Sequence, residues 1–346
     1  MKFLICGDVH WSEFSSILRK MGDKYSKRLE NLINSINWVE EQAEENKVDA
    51  VIYAGDFFDK TTLNANEITA LQEIMWANIP HKFIVGNHEG LTSTLNISTS
   101  HLFKSIPNCE VISNPSMEYY PNCELLYLPY IIEKERKPLK EYISKDDGSQ
   151  ELKPLYIISH NDIKMFYGNF ESKEGFNLEE IDGCCNLFIN GHIHNYSKFS
   201  KKGINIGNIT GQNFSEDASI YEHHIMILDT DKEDYKFIVN PFAYNFYKLE
   251  FSNVEDLKSY PFLDNSVASI KIPEDKSLEA REFLENSSKL KEFRIISVPK
   301  PSEDGVGQNE EVIASVNHLE EFIKFISSNF EVTDVMREEL REVCKE

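Results

Sequence analysis

The chain has 346 residues, 41% hydrophobic and 27% charged, which is enough for one large globular domain and a smaller one. Its 58 acidic and 36 basic residues give a net charge of −22, which disfavours unaided binding to nucleic acid or to an acidic membrane. Either the substrate is not polyanionic, or metal ions and a partner supply the missing positive charge.

The cysteines show no zinc spacing, and Cys6 and Cys185 lie in or beside apolar runs, so we expect reduced thiols in an intracellular protein. No apolar run approaches the ~18 residues of a membrane span. The apolar stretch at the start is short and is interrupted by Asp8, which argues against a signal peptide.

Short apolar runs alternate with segments of helical periodicity along most of the chain. Six near-continuous apolar runs predict strands covered on both faces, at 2–6, 49–54, 82–85, 124–130, 155–159 and 186–190. Apolar residues at a spacing of 3–4 predict helices at about 25–45 and 64–77. This alternation is typical of a layered α/β domain.

The pattern changes after two further predicted strands at 223–229 and 235–241. A strand at 267–272, a helix at about 278–293 and a strand at 294–298 predict a small separate α+β unit, within 246–300. A polar stretch with Pro and Gly predicts a linker at 301–314. Two amphipathic helices are expected at 315–346, either as the last layer of the core or as a docking element.

Residues of metal-ligand type follow five of the predicted strands at the point where each strand ends. They are Asp8 with His10, Asp56, Asn87 with His88, His160, and His192 with His194. In α/β sheets, ligands bind at the carboxyl ends of the strands. Strand alternation places His192 and His194 on one face, and Asp8 and His10 have the same spacing.

Without His88, this set offers seven nitrogen and oxygen ligands, too many for one tetrahedral ion but suited to two ions bridged by a carboxylate. The lack of thiolates favours Mn²⁺, Fe or Zn. Two ions ~3.5–4 Å apart can activate a water and stabilise the attacking and leaving oxygens of a phosphoryl displacement. No Ser or Cys occupies a nucleophile position in these motifs, which favours water as the attacker.

Several other polar residues carry no predicted role. His223 and His224 begin a later strand and are expected to be exposed, and His81 simply precedes a strand. The acidic pairs Glu40-Glu41 and Glu44-Glu45 are predicted on a solvated helix face.

In this order, the five motifs resemble those of the calcineurin-like metallophosphoesterase superfamily, over about residues 1–245. The resemblance implies a catalytic domain with two central sheets flanked by helices. It assigns one ion to Asp8, His10 and His194 and the other to Asn87, His160 and His192, with Asp56 bridging them. His88 matches the family's non-ligand histidine, which protonates the leaving oxygen or stabilises charge on the phosphate.

Within this superfamily the chain is most similar to SbcD-type nucleases of recombination and double-strand-break repair, particularly the short bacteriophage members. The segment YAGDFFDK (53–60) resembles their second motif. The unit at 246–300 stands where their DNA-capping domain follows, and 315–346 stands where they bind an SMC-like coiled-coil ATPase of the SbcC type.

The resemblance therefore implies a homodimeric DNA exonuclease and endonuclease in the cytoplasm, that of the host cell if the protein is phage-encoded. It also implies two Mn²⁺ ions, with Mg²⁺ or Fe as alternatives. Some residues depart from these nucleases: Ser12 replaces a common Gly, Glu89 a common Asp, and Asn208 the usual Ser. A stand-alone phosphodiesterase or phosphatase acting on small phosphate esters is the alternative, and a metal-stabilised binding protein is a third.

Overall fold

The structure is a computed structural model that describes residues 1–15, 17–18, 21–91, 95–143, 153–167 and 170–299. The predicted linker at 301–314 and the predicted helix pair at 315–346 lie outside the described residues. Among the helices of the described part, none is long and apolar enough to cross a membrane.

The larger part of the fold spans β1 to β16. Its elements are, in chain order, β1 (Lys2–Cys6), α1 (Lys27–Glu45), β2 (Ala50–Tyr53), α2 (Ala65–Leu71), β3 (His81–Ile84), β4 (Cys109–Ile112), β5 (Ser116–Tyr119), β6 (Glu124–Leu128) and β7 (Leu155–Ser159). They continue with β8 (Ile163–Lys164), β9 (Phe166–Tyr167), β10 (Phe170–Glu171), β11 (Phe176–Asn177), α3 (Leu178–Cys184), β12 (Leu187–Asn190), β13 (Ser197–Lys198), β14 (Gly203–Asn205), β15 (His224–Asp229) and β16 (Asp234–Val239).

A smaller part follows, with β17 (Asn245–Glu250), α4 (Val254–Ser259), β18 (Ser266–Pro273), α5 (Ser277–Glu285) and β19 (Leu290–Val298). Short 3₁₀ turns occur at Thr99–Ser105, Glu133–Glu135, Leu139–Glu141 and Glu274–Lys276. The six strands predicted in the first part of the chain correspond to β1, β2, β3, β6, β7 and β12, with bounds that differ by at most two residues.

Two six-stranded sheets pack face to face in the larger part, in the orders β16-β15-β1-β2-β3-β4 and β13-β14-β12-β7-β6-β5. The space between the sheets is filled by a buried apolar cluster, which includes Phe3, Ile5 and Ile52 of the first sheet and Ile158 and Ile189 of the second. Helices α1 and α2 cover the outer face of the first sheet, and α3 covers that of the second. This arrangement confirms the predicted layered α/β class, and burial on both faces explains the near-continuous apolar strands.

The parallel strands bring the carboxyl ends of both sheets to one region. Strands β1 to β4 run parallel to one another, and β6, β7, β12 and β14 do the same in the facing sheet. The loops that follow β1, β2 and β3 therefore lie opposite those that follow β7 and β12.

The smaller part is a three-stranded sheet in the order β17-β18-β19, with every strand parallel to its neighbour. Helices α4 and α5 cross over one face, where Leu284 of α5 packs in one cluster with Tyr247 and Ile270 of the sheet. The predicted unit was α+β; its strands are parallel because each connection carries a helix. Phe246 on the other face packs against Phe214 of the larger part, with ring centroids 5.3 Å apart.

Helix α2 ends earlier than predicted, at Leu71 instead of Ala77. The backbone N–H of Met75 donates to the side chain of Asn37, and that of Ala77 donates to Glu40, both on α1. These side chains replace the helical carbonyl acceptors, so the chain turns instead of continuing the helix.

Two expectations about exposure were wrong. His223 and His224 are only 3% and 6% exposed. Nδ1 of His223 donates to the Asn208 carbonyl oxygen at 3.1 Å, and His224 begins β15, where its ring packs on Phe237. Glu40 is 2% exposed rather than solvated, because it accepts hydrogen bonds from the Tyr53 hydroxyl and from Nε2 of His81. A buried polar group with partners inside the protein is not visible in a charge pattern.

Candidate metal centre

All the residues predicted for the site meet where the strand ends of the two sheets face each other. The first sheet supplies Asp8 and His10 after β1, Asp56 after β2, and Asn87 with His88 after β3; the second supplies His160 after β7 and His192 with His194 after β12. Three overlapping groups result: Asp8–His10–His194, His10–Asp56–His88 and Asp56–His160–His192. In each group, one ligand atom per residue lies within 4.8 Å of the others.

In the group of Asp8, His10 and His194, a carboxylate on the outer side of each histidine ring holds its Nδ1. Nδ1 of His10 donates to Asp59 Oδ1 at 3.0 Å, and Nδ1 of His194 donates to Glu216 Oε1 at 3.3 Å. A carboxylate only accepts, so Nδ1 carries the proton and Nε2 of each ring presents a lone pair to the interior. The two Nε2 atoms are 3.1 Å apart, and each is 3.9 Å from Asp8 Oδ2.

The group of Asp56, His160 and His192 converges on Nε2 of His160. This nitrogen lies 3.1 Å from Asp56 Oδ2, 3.1 Å from Asn87 Oδ1 and 3.2 Å from His192 Nδ1. Nε2 of His192 donates to Asp162 Oδ1 at 3.1 Å, so its Nδ1 presents a lone pair inward. Asp56 takes part in both halves of the site, since His10 Nε2 is 3.9 Å from the same Asp56 Oδ2.

These residues fit divalent metal ions. Both carboxylate oxygens of Asp8 are buried and lack a hydrogen-bond partner among the described residues, which is unfavourable for an ionised group without a cation. Burial raises the pKa of Asp8 well above its usual range, while the carboxylates of Asp56 and Asp8 outweigh burial and raise the pKa of His160 to about 9. Converging lone pairs of nitrogen and oxygen, without thiolate, are the donor set of a Mn²⁺, Fe or Zn site.

The backbone around these ligands is close-packed and locally strained. His10 and Asp56 have positive φ angles of 50° and 40°, which side chains other than glycine rarely adopt. A Cβ on Gly55 would lie 2.0 Å from Nδ1 of His160, and one on Gly86 would lie 2.1 Å from Oδ1 of Asp56. Only glycine allows these turns to approach the ligands so closely.

His88 lies at the open edge of the centre, with 44% of its side chain exposed. Its backbone N–H donates to Asp56 Oδ1 at 2.9 Å, and its Nδ1 donates to the carbonyl oxygen of Asp59 at 3.1 Å. Nε2 is therefore the nitrogen available to a substrate. His88 is also close enough to His10 and Asp56 to bind the same metal ion, so its predicted non-ligand role stays a prediction.

Glu89, which departs from the related nucleases, has a structural role beneath the site. It is fully buried, and its carboxylate accepts from the backbone N–H of Phe58 at 2.7 Å and of Gly86 at 3.2 Å. Burial and the nearby Asp56 raise the pKa of Glu89 to about 7. This side chain ties the turn after β2 to the turn after β3.

The sequence did not reveal the carboxylates that hold the outer histidine nitrogens. Asp59 and Asp162 lie three residues after Asp56 and two after His160, so their positions in the motifs gave a weak signal. Glu216 lies in a loop with no motif, and only the folded chain brings it to His194.

The fold and the site define a metal-binding hydrolase of phosphate esters. Residues 1–240 match the family described as calcineurin-like phosphoesterase, and the chain belongs to this family. The predicted superfamily is thereby confirmed, whereas the closer resemblance to SbcD-type nucleases stays a prediction.

Solved structures with some similarity cover much of the chain. One described as a novel archaeal phosphodiesterase is 17% identical, with a TM-score of 0.36, and the match covers 69% of this chain and 99% of that chain. A second crystal structure is 13% identical, with a TM-score of 0.42, and covers 69% of this chain and 98% of the other. Identities and TM-scores this low give no information about the activity of this chain. No curated protein sequence matches the chain significantly.

Proposed function

We propose that the chain is a Mn²⁺-dependent DNA nuclease subunit that hydrolyses phosphodiesters as an exonuclease and endonuclease. It acts in the cytoplasm as a homodimer, together with an SMC-like coiled-coil ATPase of the SbcC type that binds residues 315–346. Mg²⁺ and Fe are the alternative ions. Family membership, the paired ligand groups and the order of the motifs support this proposal.

The residues of the site divide the work of phosphodiester hydrolysis between them. When bound, two divalent ions supply an activated water and neutralise charge on the phosphate. Asp56 belongs to two of the three ligand groups, one with His10 and His88 and one with His160 and His192. The Asp59 carbonyl oxygen accepts from Nδ1 of His88, so His88 acts as an acid only as the imidazolium, which gives the leaving oxygen the proton on Nε2 and keeps the one on Nδ1. No serine or cysteine occupies a nucleophile position in the motifs, which favours water as the nucleophile.

The main support for DNA as the substrate is the position of the smaller sheet, which lies beside the metal centre. Gly211, on the loop that leads to Glu216, donates its backbone N–H to the Tyr244 carbonyl oxygen at 3.0 Å. The guanidinium of Arg294 lies 4.4 Å from the ring centroid of Phe214, on the same loop. Lys248 and Arg294 are exposed and lie in one cross-strand row. Exposed cations next to an aromatic ring are suited to phosphates and bases.

The ATPase partner is proposed on the basis of charge and sequence resemblance. A net charge of −22 weakens binding to DNA, so a partner that supplies phosphate contacts restores it. Deletion of 315–346 is expected to abolish the complex and to leave weak Mn²⁺-dependent nuclease activity.

The test is cleavage of end-labelled linear duplex DNA by the purified chain with Mn²⁺, beside hydrolysis of a bis-aryl phosphodiester. The double variant Lys248→Ala/Arg294→Ala should lower DNA cleavage and make its salt dependence shallower by about one unit per cation, without changing ester hydrolysis. Lys232→Ala, which removes an exposed cation on the β15–β16 turn, is the matched control.

Hydrolysis of the small ester without DNA cleavage, even after a candidate ATPase is added, would refute the nuclease proposal. That outcome would support the stand-alone phosphodiesterase instead.

A further inference from the structure

Glu216 is a buried carboxylate behind one metal ligand. Its side chain is 1% exposed; Oε1 accepts from Nδ1 of His194 at 3.3 Å, and Oε2 accepts from the backbone N–H of Gln212 at 2.9 Å. Burial alone would raise the pKa of Glu216, but the hydrogen bond from His194 and the nearby His223 hold it below its usual value. Glu216 therefore fixes both the tautomer and the direction of the His194 ring.

The loop that carries Glu216 is held by the smaller sheet and by α1. Besides the bond from Gly211 to Tyr244, Ala218 donates its backbone N–H to the Phe246 carbonyl oxygen at 3.0 Å. The buried guanidinium of Arg28 on α1 donates to the Gly211 carbonyl oxygen at 2.9 Å. With the ring of Phe214 against Phe246, the smaller sheet and α1 together hold the loop of Glu216 in position.

Asp162 has the equivalent place behind the other half of the site. It accepts from Nε2 of His192 at 3.1 Å, and its second oxygen lies 3.5 Å from Nη2 of Arg136. Arg136 is 4% exposed and also donates to the carbonyl oxygen of Ile131. Within the described residues, the side chains of Asp162 and Arg136 bond to His192, Glu133, Ile131 and each other and not to the smaller sheet, so the two carboxylates rest on different parts of the fold.

We propose that Glu216 and Asp162 are positioning residues that each set the affinity of one ion. Glu216 acts through His194 on the ion of Asp8 and His10, and Asp162 acts through His192 on the ion of Asn87 and His160. The smaller sheet acts on the first ion alone, through the loop of Glu216. This inference rests on the proposed two-ion centre.

The experiment measures Mn²⁺ affinity by calorimetry in variants that retain one ion each. Asn87→Ala removes a ligand of one ion, and His10→Ala removes a ligand of the other. In the Asn87→Ala background, Glu216→Gln should weaken Mn²⁺ binding by about 10–100-fold, whereas Asp162→Asn should have no effect. In the His10→Ala background the effects should be reversed.

Three further variants separate positioning from general loss of structure. Glu222→Gln, the same charge change at an exposed position, should leave both affinities unchanged. Phe214→Ala should weaken only the ion affected by Glu216→Gln. Glu216→Ala should have a larger effect than Glu216→Gln, because glutamine keeps an acceptor for His194. In the metal-free chain, nuclear magnetic resonance of labelled histidine should show the Nδ1–H tautomer of His194, and its loss in Glu216→Ala.

The inference would be overturned if Glu216→Gln or Asp162→Asn weakened the binding of both ions equally, or if neither variant changed the Mn²⁺ affinity. Binding of fewer than two ions by the unaltered chain would instead refute the two-ion centre itself. Absence of DNA cleavage would not affect this test, since it measures metal binding alone.

Discussion

His88 differs from the other histidines of the site because its side chain is 44% exposed, and Asp59 Oδ1 lies 3.8 Å from its Nδ1, beyond hydrogen-bonding distance. We expect His88→Ala to keep both metal ions and to lower hydrolysis by about 10²–10⁴-fold, the usual contribution of a general acid. Metal content and bis-aryl phosphodiester hydrolysis are measured on the same samples. Loss of one ion would show that His88 is a ligand, and full activity would remove its assigned role.

His224 is a buried histidine away from the metal ligands. Its ring centroid is 4.2 Å from that of Phe237 and 4.9 Å from that of Tyr196, and its Nε2 lacks a hydrogen-bond partner among the described residues. Burial lowers the pKa of His224 to about 4. The folded chain therefore binds this proton less readily than the unfolded chain.

The sign of the pH effect follows from this lowered pKa. The contribution of neutral His224 to stability is present above the unfolded pKa of about 6.5 and is lost as the pH falls towards 4. Between pH 7.5 and 5, the unfolding free energy of the original chain should fall by about 2 kcal/mol more than that of the His224→Phe variant. Urea unfolding of both proteins across this range measures the difference. Parallel pH profiles would contradict the predicted shift.

At the scale of single residues, the side chains that converge in the candidate metal centre could be predicted, but the carboxylates that hold the outer nitrogens of its histidines could not. Asp8, His10 and the other ligands each follow a recognisable strand, so chain order alone placed them together. Glu216 and Glu40 look like any surface acid in the sequence, and their roles depend on partners in other elements. A hydrogen bond between distant segments leaves no local pattern to read.

The turns after β2 and β3 are elements whose shape is set by packing against the ligands. Gly86 has no unusual φ, so its intolerance of a side chain is steric: a Cβ would lie 2.1 Å from Oδ1 and 2.5 Å from the backbone nitrogen of Asp56. Gly183 in α3 is a matched control, because a Cβ there would meet nothing within 4 Å.

Gly86→Ala should therefore lower the unfolding free energy by about 1–3 kcal/mol and weaken metal binding, because Asp56 must move. Gly183→Ala should leave metal binding unchanged and stabilise the chain by about 0.5–1 kcal/mol through helix propensity. Denaturant unfolding and Mn²⁺ titration test both. Unchanged metal affinity in Gly86→Ala would contradict the close packing of this turn.

At the scale of elements, buried strands were predicted well because their apolar runs are continuous. The end of α2 was not predicted correctly, because the side chains of Asn37 and Glu40 on α1 accept the backbone N–H groups that would otherwise continue the helix. The strand direction in the smaller part was also missed, because one apolar run does not show whether its neighbour is parallel. Its helical connections decide that point.

At the scale of the whole molecule, each of the two sheets supplies part of the candidate metal centre. Asp8, His10, Asp56 and Asn87 come from one sheet and His160, His192 and His194 from the other. Bound cations would therefore join the two layers at one edge while offsetting part of a net charge of −22. Asp56 connects the two sheets within this arrangement, since it groups with His10 and His88 of its own sheet and with His160 and His192 of the other.

The most direct test of the two-ion centre is electron paramagnetic resonance of the Mn²⁺-loaded chain, with metal content measured on the same sample. We expect two Mn²⁺ per chain with a spin-coupled signal, because bridged ions in such sites lie about 3.5–4 Å apart. Asp56→Ala should weaken binding of both ions and remove the coupling. A single ion, two uncoupled ions, or normal occupancy by two ions in Asp56→Ala would contradict the bridged centre.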